Sequence, residues 1–288
     1  MKIQHTLSRP TRTLLALMLS ACAVEDADEL DEPQVHASEA ALDLPWEPSA
    51  FTPFTFSSQV SESGQFSDGD VRLDRVEFGH VKLPGWALQT VKHATILIDD
   101  GVDVARGGHN FASGQGINSE LDEWVSEGPA TITPTGADLR ASLDNLNLTS
   151  IVVTRENEGT ASLEVSFAVP VNTLFFWERG SAASPTTANS DLLVEALDWK
   201  GEVTASYKLL RSQYTPTGIE ITTWNGSFAS PSTPGGAFPQ LGSAGLALDG
   251  AARRFRLTSV QRAPGGVRDD GPDYKLVGAL LPSFLLPR

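Results

Sequence analysis

Apolar and polar residues alternate with a period of two along much of the chain. The clearest stretches are residues 162–171 and 202–209, where Val, Leu, Phe or Tyr side chains alternate with Ser, Thr, Glu or Lys. This period is typical of a β-strand with one buried and one solvated face. Weaker examples cover 71–82, 91–98, 148–155, 192–199, 218–228, 255–260 and 274–281. The first of these changes phase between Leu73 and Val76, which predicts a β-bulge.

Turn signals separate the predicted strands, and helix signals are few. Gly201 and Gly218 stand where a turn can require a positive φ angle. A short helix is predicted after Ser119, and Thr135 with Asp138 forms a second capping pattern. Residues 139–143 also alternate, so the sequence leaves helix and strand open there. We predict an all-β fold, an antiparallel β-sandwich of one or two stacked sheet pairs, with at most one or two short helices.

Composition excludes several classes of protein. The 288 residues are 40% apolar, which is enough to bury a core, and the single Cys cannot form an intramolecular disulfide. The net charge of −15 excludes a basic footprint for DNA or RNA, so no nucleic-acid partner is expected. The acidity is uneven, because residues 22–71 hold twelve acids and no Lys or Arg, whereas residues 72–288 hold 24 acids and 18 bases.

The chain begins with the features of a secretory signal. Residues 1–12 contain Lys2, Arg9 and Arg12 and no acid, and residues 13–19 are mostly apolar. This apolar segment is too short to span a membrane. It ends in Leu19-Ser20-Ala21-Cys22, and this Cys is the only one in the chain.

These four residues resemble the lipobox of bacterial lipoproteins. The resemblance implies that the Cys22 thiol receives a diacylglycerol, that the chain is cut before Cys22, and that the new amino terminus is acylated. An ordinary signal cleaved after Ala21 or Ala23 is the alternative. Ala23, where Asp would retain the protein at the inner membrane, is similar to the outer-membrane sorting pattern of enterobacterial lipoproteins. The expected location is therefore outside the cytoplasm, lipid-anchored to the outer membrane and facing the periplasm or the surface.

Three segments follow from these patterns. Residues 1–21 are predicted to be a lipoprotein signal peptide. Residues 22–48 are predicted to be an acidic, disordered tether, because like charges repel and no apolar periodicity could bury them. Residues 49–288 are predicted to form the β-rich globular region, either as one body or as two halves divided near residues 180–190.

The sequence contains no recognised catalytic motif. It lacks the Gly-x-Ser-x-Gly elbow, the phosphate-binding loop and paired metal ligands. His80, His93 and His109 could form a zinc site only if three strands brought them together, and structural roles are the alternative. We therefore predict no catalytic residue and no resident cofactor.

Two kinds of loop contain residues that could bind a small molecule or a metal ion. The Gly-rich residues 107–116 include His109 and Asn110, which predict either a binding loop or a plain connection. The pattern Asp-Asp-Gly-x-Asp occurs twice and offers carboxylates to calcium, although Asp-Gly is equally a turn signal. The carboxylates concerned are Asp99, Asp100, Asp103, Asp269, Asp270 and Asp273.

Aromatic residues supply the remaining candidates. Trp177 precedes a Gly/Ser/Pro-rich stretch, and Trp224 is out of phase with Ile219 and Ile221, so both are predicted to face a ligand such as a glycan. The other Trp and Tyr residues are predicted to be mostly core, including Trp86 and Trp199.

The sequence supports three hypotheses. The first is a non-enzymatic, lipid-anchored β-sandwich that binds a glycan, a cell-wall component or an envelope protein. The second is an envelope hydrolase with a His/Asp or metal-dependent site near His109 and Asp99 to Asp103. The third is a structural subunit of an envelope assembly. The absence of a nucleophile or metal motif favours the first and third.

Overall fold

A computed structural model gives the conformation of most of the predicted globular region. The structure describes residues 51–62, 71–99, 102–105, 134–154, 161–179, 188–189, 191–220, 240–260, 269–270, 272 and 274–287. The chain divides into two compact units, Met1–Asp43 and Leu44–Arg288, and all described residues belong to the second unit.

The described residues form fifteen β-strands and one α-helix, which confirms the predicted all-β class. In chain order these elements are β1 (Phe51–Phe54), β2 (Ser57–Glu62), β3 (Val71–Phe78), β4 (Val81–Pro84), β5 (Val91–Asp99), β6 (Val102–Ala105), α1 (Gly136–Leu143), β7 (Ile151–Thr154), β8 (Ala161–Arg179), β9 (Ala188–Asn189), β10 (Asp191–Leu197), β11 (Val203–Leu209), β12 (Thr215–Glu220), β13 (Gln240–Val260), β14 (Asp269–Asp270) and β15 (Tyr274–Ala279). A ten-stranded sheet, a three-stranded sheet β2-β3-β4 and the short parallel pair β9-β14 contain all of these strands.

Two long antiparallel strands, β8 and β13, form a ribbon that runs through the whole ten-stranded sheet. The first half of β8 pairs with β5 and with the second half of β13, whose other neighbour is β10. The second half of β8 pairs with β15 and with the first half of β13, whose other neighbours are β1 and β12. Strands from both sides of residues 180–190 therefore pair within one sheet.

The ribbon changes register between its halves. Thr173 pairs with Ala247, whereas Val171 pairs with Ala252, so β13 has more residues than β8 at this point. Residues 168–170 of β8 and 249–251 of β13 are exposed there. Such bulges bend strands and let them pass from one layer of a sandwich to the other. We call this region the corner.

The main core lies between the two halves of the folded ribbon. Leu163, Val165 and Phe167 from the first half of β8 join Leu174 and Phe176 from its second half in one buried cluster. Phe255 packs against Phe167 with ring centroids 5.8 Å apart and nearly perpendicular planes. The two layers of the predicted sandwich are thus the two halves of one continuous sheet.

A second core covers the opposite face of the second half. Phe175 and Trp177 alternate with the main-core residues and pack beneath the three-stranded sheet, with Phe56, Leu73 and Val76. Residues 171–178 are consequently buried on both faces. A strand in the middle of three layers is apolar on both sides and shows no alternation.

Several predicted local features are confirmed. Gln59 pairs with Arg75 but Val60 pairs with Leu73, so Asp74 is the extra residue of the predicted bulge. Residues 136–143, which the sequence leaves open between helix and strand, are helical, and the capping pattern is present: the Thr135 hydroxyl accepts from the Asp138 amide while the Asp138 carboxylate accepts from the Thr135 amide. The predicted turns at Gly201 and Gly218 have φ angles of 87° and 73°. The helix predicted after Ser119 lies outside the described residues.

Gly245 tests the packing of β1 on the ribbon. It pairs with Phe54, and a Cβ at this position would lie 2.4 Å from the Phe54 ring. We expect Gly245→Ala to lower the free energy of unfolding by about 1–3 kcal/mol in urea titrations, because the ring must leave its packed position. Gly250→Ala is the matched control, since nothing lies within 4 Å of its Cβ position. Equal losses in the two variants would contradict this packing.

Candidate functional site

The ten-stranded sheet has two chemically different ends. One is the corner. The other, which we call the far end, contains the beginning of β10 and β15 and the end of β8. Asp191, Tyr274 and Glu178 are the described residues that mark it.

Exposed apolar side chains concentrate at the corner. Seven large apolar side chains of the described residues are substantially exposed, and six of them belong to segments at or next to the corner. Leu210 is the exception. We call the six the corner patch: Trp86, Val169, Trp199, Val203, Leu280 and Phe284.

An isolated backbone bridge joins the segment that carries Trp86 to β15. Gln89 exchanges two backbone hydrogen bonds with Gly278, of 2.7 and 2.8 Å, in an antiparallel bridge, so the residues before Gln89 and those after Gly278 lie on the same side of it, the side that leads to the corner. Trp86 lies three residues before Gln89 in a 3-10 turn and is 87% exposed. Leu280 follows the end of β15 directly.

A buried amide fixes the segment that carries Leu280 and Phe284. The Asn172 side chain donates to the Leu281 carbonyl at 2.7 Å and accepts from the Leu281 amide at 2.8 Å. This two-point contact replaces strand pairing where β15 ends. Phe284 then lies in a 3-10 turn and is 77% exposed.

Trp199 lies in the turn between β10 and β11 and is 82% exposed. The Asp198 carboxylate accepts from the amides of Lys200 and Glu202, and Gly201 supplies the positive φ angle, so the turn is well defined. The Lys200 ammonium lies 5.1 Å from the Trp199 ring centroid.

The first described strand, β1, begins near the corner. Ala279, Thr173, Ala247 and Thr52 lie in one row across β15, β8, β13 and β1. Neighbouring strands are about 4.8 Å apart, so this row spans about 15 Å. The first described residue, Phe51, therefore enters the sheet at the same end as the corner patch.

Buried ionisable groups occupy the far end. Glu178, Asp191 and Tyr274 are almost completely buried. Asp191 accepts from the Lys208 ammonium at 3.1 Å and from the Arg211 amide at 3.1 Å. The interior of the far end therefore contains two buried carboxyl groups and a buried phenol.

Tyr214 completes the far end. Its hydroxyl is buried and has no hydrogen-bond partner within the described part of the chain. Burial, followed by the charge of Glu178, raises the pKa of Tyr214 well above 10.0. Burial also raises the pKa of Tyr274. Both phenols are therefore neutral in the folded protein at physiological pH.

Four of the six candidate calcium ligands lie in described strands. Asp99 is opposite Ala161 in β5 and Asp103 is opposite Val153 in β6, and these strands pair with different neighbours. Asp269 and Asp270 form β14 and pair with Ala188 and Asn189 near the far end. Asp100 and Asp273 lie outside the described residues, as do His109, Asn110 and Trp224.

The prediction that Trp177 faces a ligand is wrong. Trp177 is fully buried, Phe56 packs edge-on against it at 5.2 Å, and its indole N–H donates to the Ser58 hydroxyl at 2.9 Å. The error arises because this strand is covered on both faces. Trp86 and Trp199, predicted as core, are exposed instead because both lie in turns.

His80 and His93 are the described members of the predicted zinc set, and His109 lies outside the described residues. His80 lies in the exposed turn between β3 and β4, and His93 is exposed on β5. No group of three or more His, Cys, Asp or Glu side chains in the described ranges has a metal-binding arrangement.

Lys275 is a fully buried cation that the sequence analysis did not identify. Its ammonium donates to the Ser142 carbonyl at 2.5 Å and to the Asn145 side-chain oxygen at 2.6 Å. Carbonyls at a helix C-terminus carry partial negative charge and stabilise a cation there. Lys275 therefore connects α1 to β15, and these contacts account for the burial of its charge.

Comparison of the chain with protein-family models, with curated proteins and with solved structures found no match. The exposed side chains of the corner patch are large and apolar, and this patch is therefore the candidate interaction surface.

The unpartnered hydroxyl of Tyr214 gives a stability prediction. We expect Tyr214→Phe to raise the free energy of unfolding by about 1 kcal/mol, because it removes a buried polar group that has no partner. Tyr207→Phe is the control and should lower it by about 1 kcal/mol, because the Gln213 amide donates to the Tyr207 hydroxyl. Urea titrations measure both. A clear loss in Tyr214→Phe would show that the hydroxyl is bonded.

The raised pKa values predict alkaline destabilisation. Below about pH 10 both states keep these phenols protonated, so their contribution is fully present. Above pH 10 the unfolded chain releases protons that the folded state retains, and stability falls as pH rises. We expect Tyr214→Phe to reduce this fall between pH 9 and 11, measured by urea titration at each pH. An unchanged slope would contradict the buried, neutral state of Tyr214.

Proposed function

We propose that the protein is an exported bacterial lipoprotein, anchored to the outer membrane through lipidated Cys22, whose β-sandwich has a binding or structural role in the envelope. The observation that supports this proposal best is Leu19-Ser20-Ala21-Cys22 at the end of a basic and apolar leader. The sole Cys of the chain stands at the position where the lipobox requires one.

In the described ranges, no helix is long and apolar enough to cross a membrane. The several acyl chains of a lipoprotein Cys are sufficient for stable anchoring, whereas a single chain gives only marginal binding. The acidic residues 22–48 would then connect the anchor to the domain.

A binding or structural role agrees better with the described geometry than catalysis. The buried groups of the far end are covered, and Asp191 already has cationic and amide partners. The exposed groups of the corner are large and apolar, which is typical of a contact surface. A glycan or an envelope protein is the kind of ligand proposed for the domain as a whole, and this proposal does not assign that ligand to the corner.

Metabolic labelling with an alkyne analogue of palmitate tests the anchor. We expect labelled wild-type protein in the membrane fraction and complete loss of label in Cys22→Ala, because the thiol is the acceptor. Continued labelling of this variant would overturn the proposal.

Ala23→Asp provides a matched variant that keeps Cys22. We expect it to retain the label but to move from the outer-membrane to the inner-membrane fraction in a sucrose gradient, by resemblance to the enterobacterial sorting pattern. An unlabelled Ala23→Asp would show that the loss in Cys22→Ala is not specific to the thiol. Retention in the outer membrane would contradict the proposed sorting.

A further inference from the structure

We propose that the corner patch rests on the lipid bilayer, so that the domain is held against the membrane in one orientation. The inference depends on the proposed lipid anchor at Cys22. It adds a second membrane contact, made by side chains of the folded domain and separate from the acyl chains.

The composition of the corner patch fits the region between lipid headgroups and acyl chains. Trp86 and Trp199 are its most exposed members, at 87% and 82%. Trp is enriched at this depth of a membrane because its large apolar ring also carries a polar N–H group. Val169, Leu280 and Phe284 add apolar surface without charge.

The first described residues lie at the corner end of the sheet. Thr52 shares a row with Ala279 across β1, β13, β8 and β15. Roughly 29 residues separate Cys22 from Phe51, so the proposed anchor would hold the patch within about 100 Å of the bilayer, the length of a fully extended chain. A patch tethered at this distance has a high effective concentration at the surface, so a weak apolar contact suffices.

The far end lacks the features of a membrane contact. Leu210 is the only substantially exposed large apolar side chain that the structure describes there. The apolar surface and the first described residues therefore lie at the same end.

Charges around the corner patch have both signs. Lys200 and Arg253 are exposed, and so are Glu202 and Asp249. Attraction to anionic lipid is therefore balanced by repulsion, and burial of apolar surface supplies the binding. We expect the contact to form on zwitterionic and on anionic bilayers alike.

Single-cysteine labelling of the full-length, lipidated protein tests the orientation. Trp86→Cys and Phe284→Cys place an environment-sensitive NBD dye in the corner patch. Ser212→Cys is the control at the far end, where it follows Arg211, whose amide donates to Asp191. The dye reaches only the new thiol, because a lipidated Cys22 is a thioether. Vesicles of phosphatidylcholine, with and without phosphatidylglycerol, serve as the membrane.

We expect NBD emission to shift to the blue and to rise several-fold at residues 86 and 284 in both kinds of vesicle, and to stay unchanged at residue 212. Vesicles with brominated lipids should also quench Trp fluorescence of the unsubstituted protein. Flotation of the protein without any emission change at residues 86 and 284 would overturn the docking and leave the anchor intact. Equal changes at all three positions would also overturn it.

Two other outcomes identify the failing step. A full-length protein whose mass lacks acyl groups and which does not float with vesicles would overturn the proposed function itself. Emission changes that need envelope extract and do not occur with pure lipid would overturn the lipid occupant and indicate a protein partner. Urea titration of each labelled variant checks that the fold is retained.

Discussion

The antiparallel pairing of β8 with β13 holds the large sheet together, because each strand contributes to both of its layers. β5, β10 and β11 depend on the first half of the ribbon, whereas β1, β12 and β15 depend on the second half. The main core forms only when the two halves face each other. The corner is therefore a structural requirement, and the exposed residues beside it are a consequence of how the sandwich closes.

This closure gives the domain two unlike ends. At the far end the ionisable side chains of Glu178, Asp191 and Tyr274 are enclosed by the strand ends that meet there. At the corner the strands bend away from each other, so connecting turns carry apolar side chains that no layer covers. Exposure of such an apolar surface to water is unfavourable in free energy, and a contact that buries the surface removes this unfavourable contribution.

The sequence predicts those strands that have one buried face and one face exposed to solvent. The buried faces of Leu163, Val165 and Phe167 and the bulge at Asp74 follow from alternation alone, whereas Val169, which the same pattern predicts to be buried, is exposed at the corner. Residues 171–178 could not be predicted in this way, because a third layer buries both faces and removes the pattern. Trp177 is predicted to face a ligand because it precedes a Gly/Ser/Pro-rich stretch, and the residues that bury it, among them Phe56, are distant in the sequence. Trp86 and Trp199 escaped prediction because their exposure depends on turns, and the partner of Lys275 is a helix end more than 100 positions away in the sequence.

The ribbon also determines when the domain can fold. Ser162 pairs with Thr258, 96 positions later, so the sheet cannot close until the end of β13 has been synthesised. Roughly 240 residues separate the leader from that point, which takes about 10–50 s at ordinary rates of synthesis. Pairing over such distances is itself slow. The proposed amino-terminal leader would thus be available for recognition long before the chain can acquire its folded form, which is the order of events that the proposed export of an unfolded chain requires.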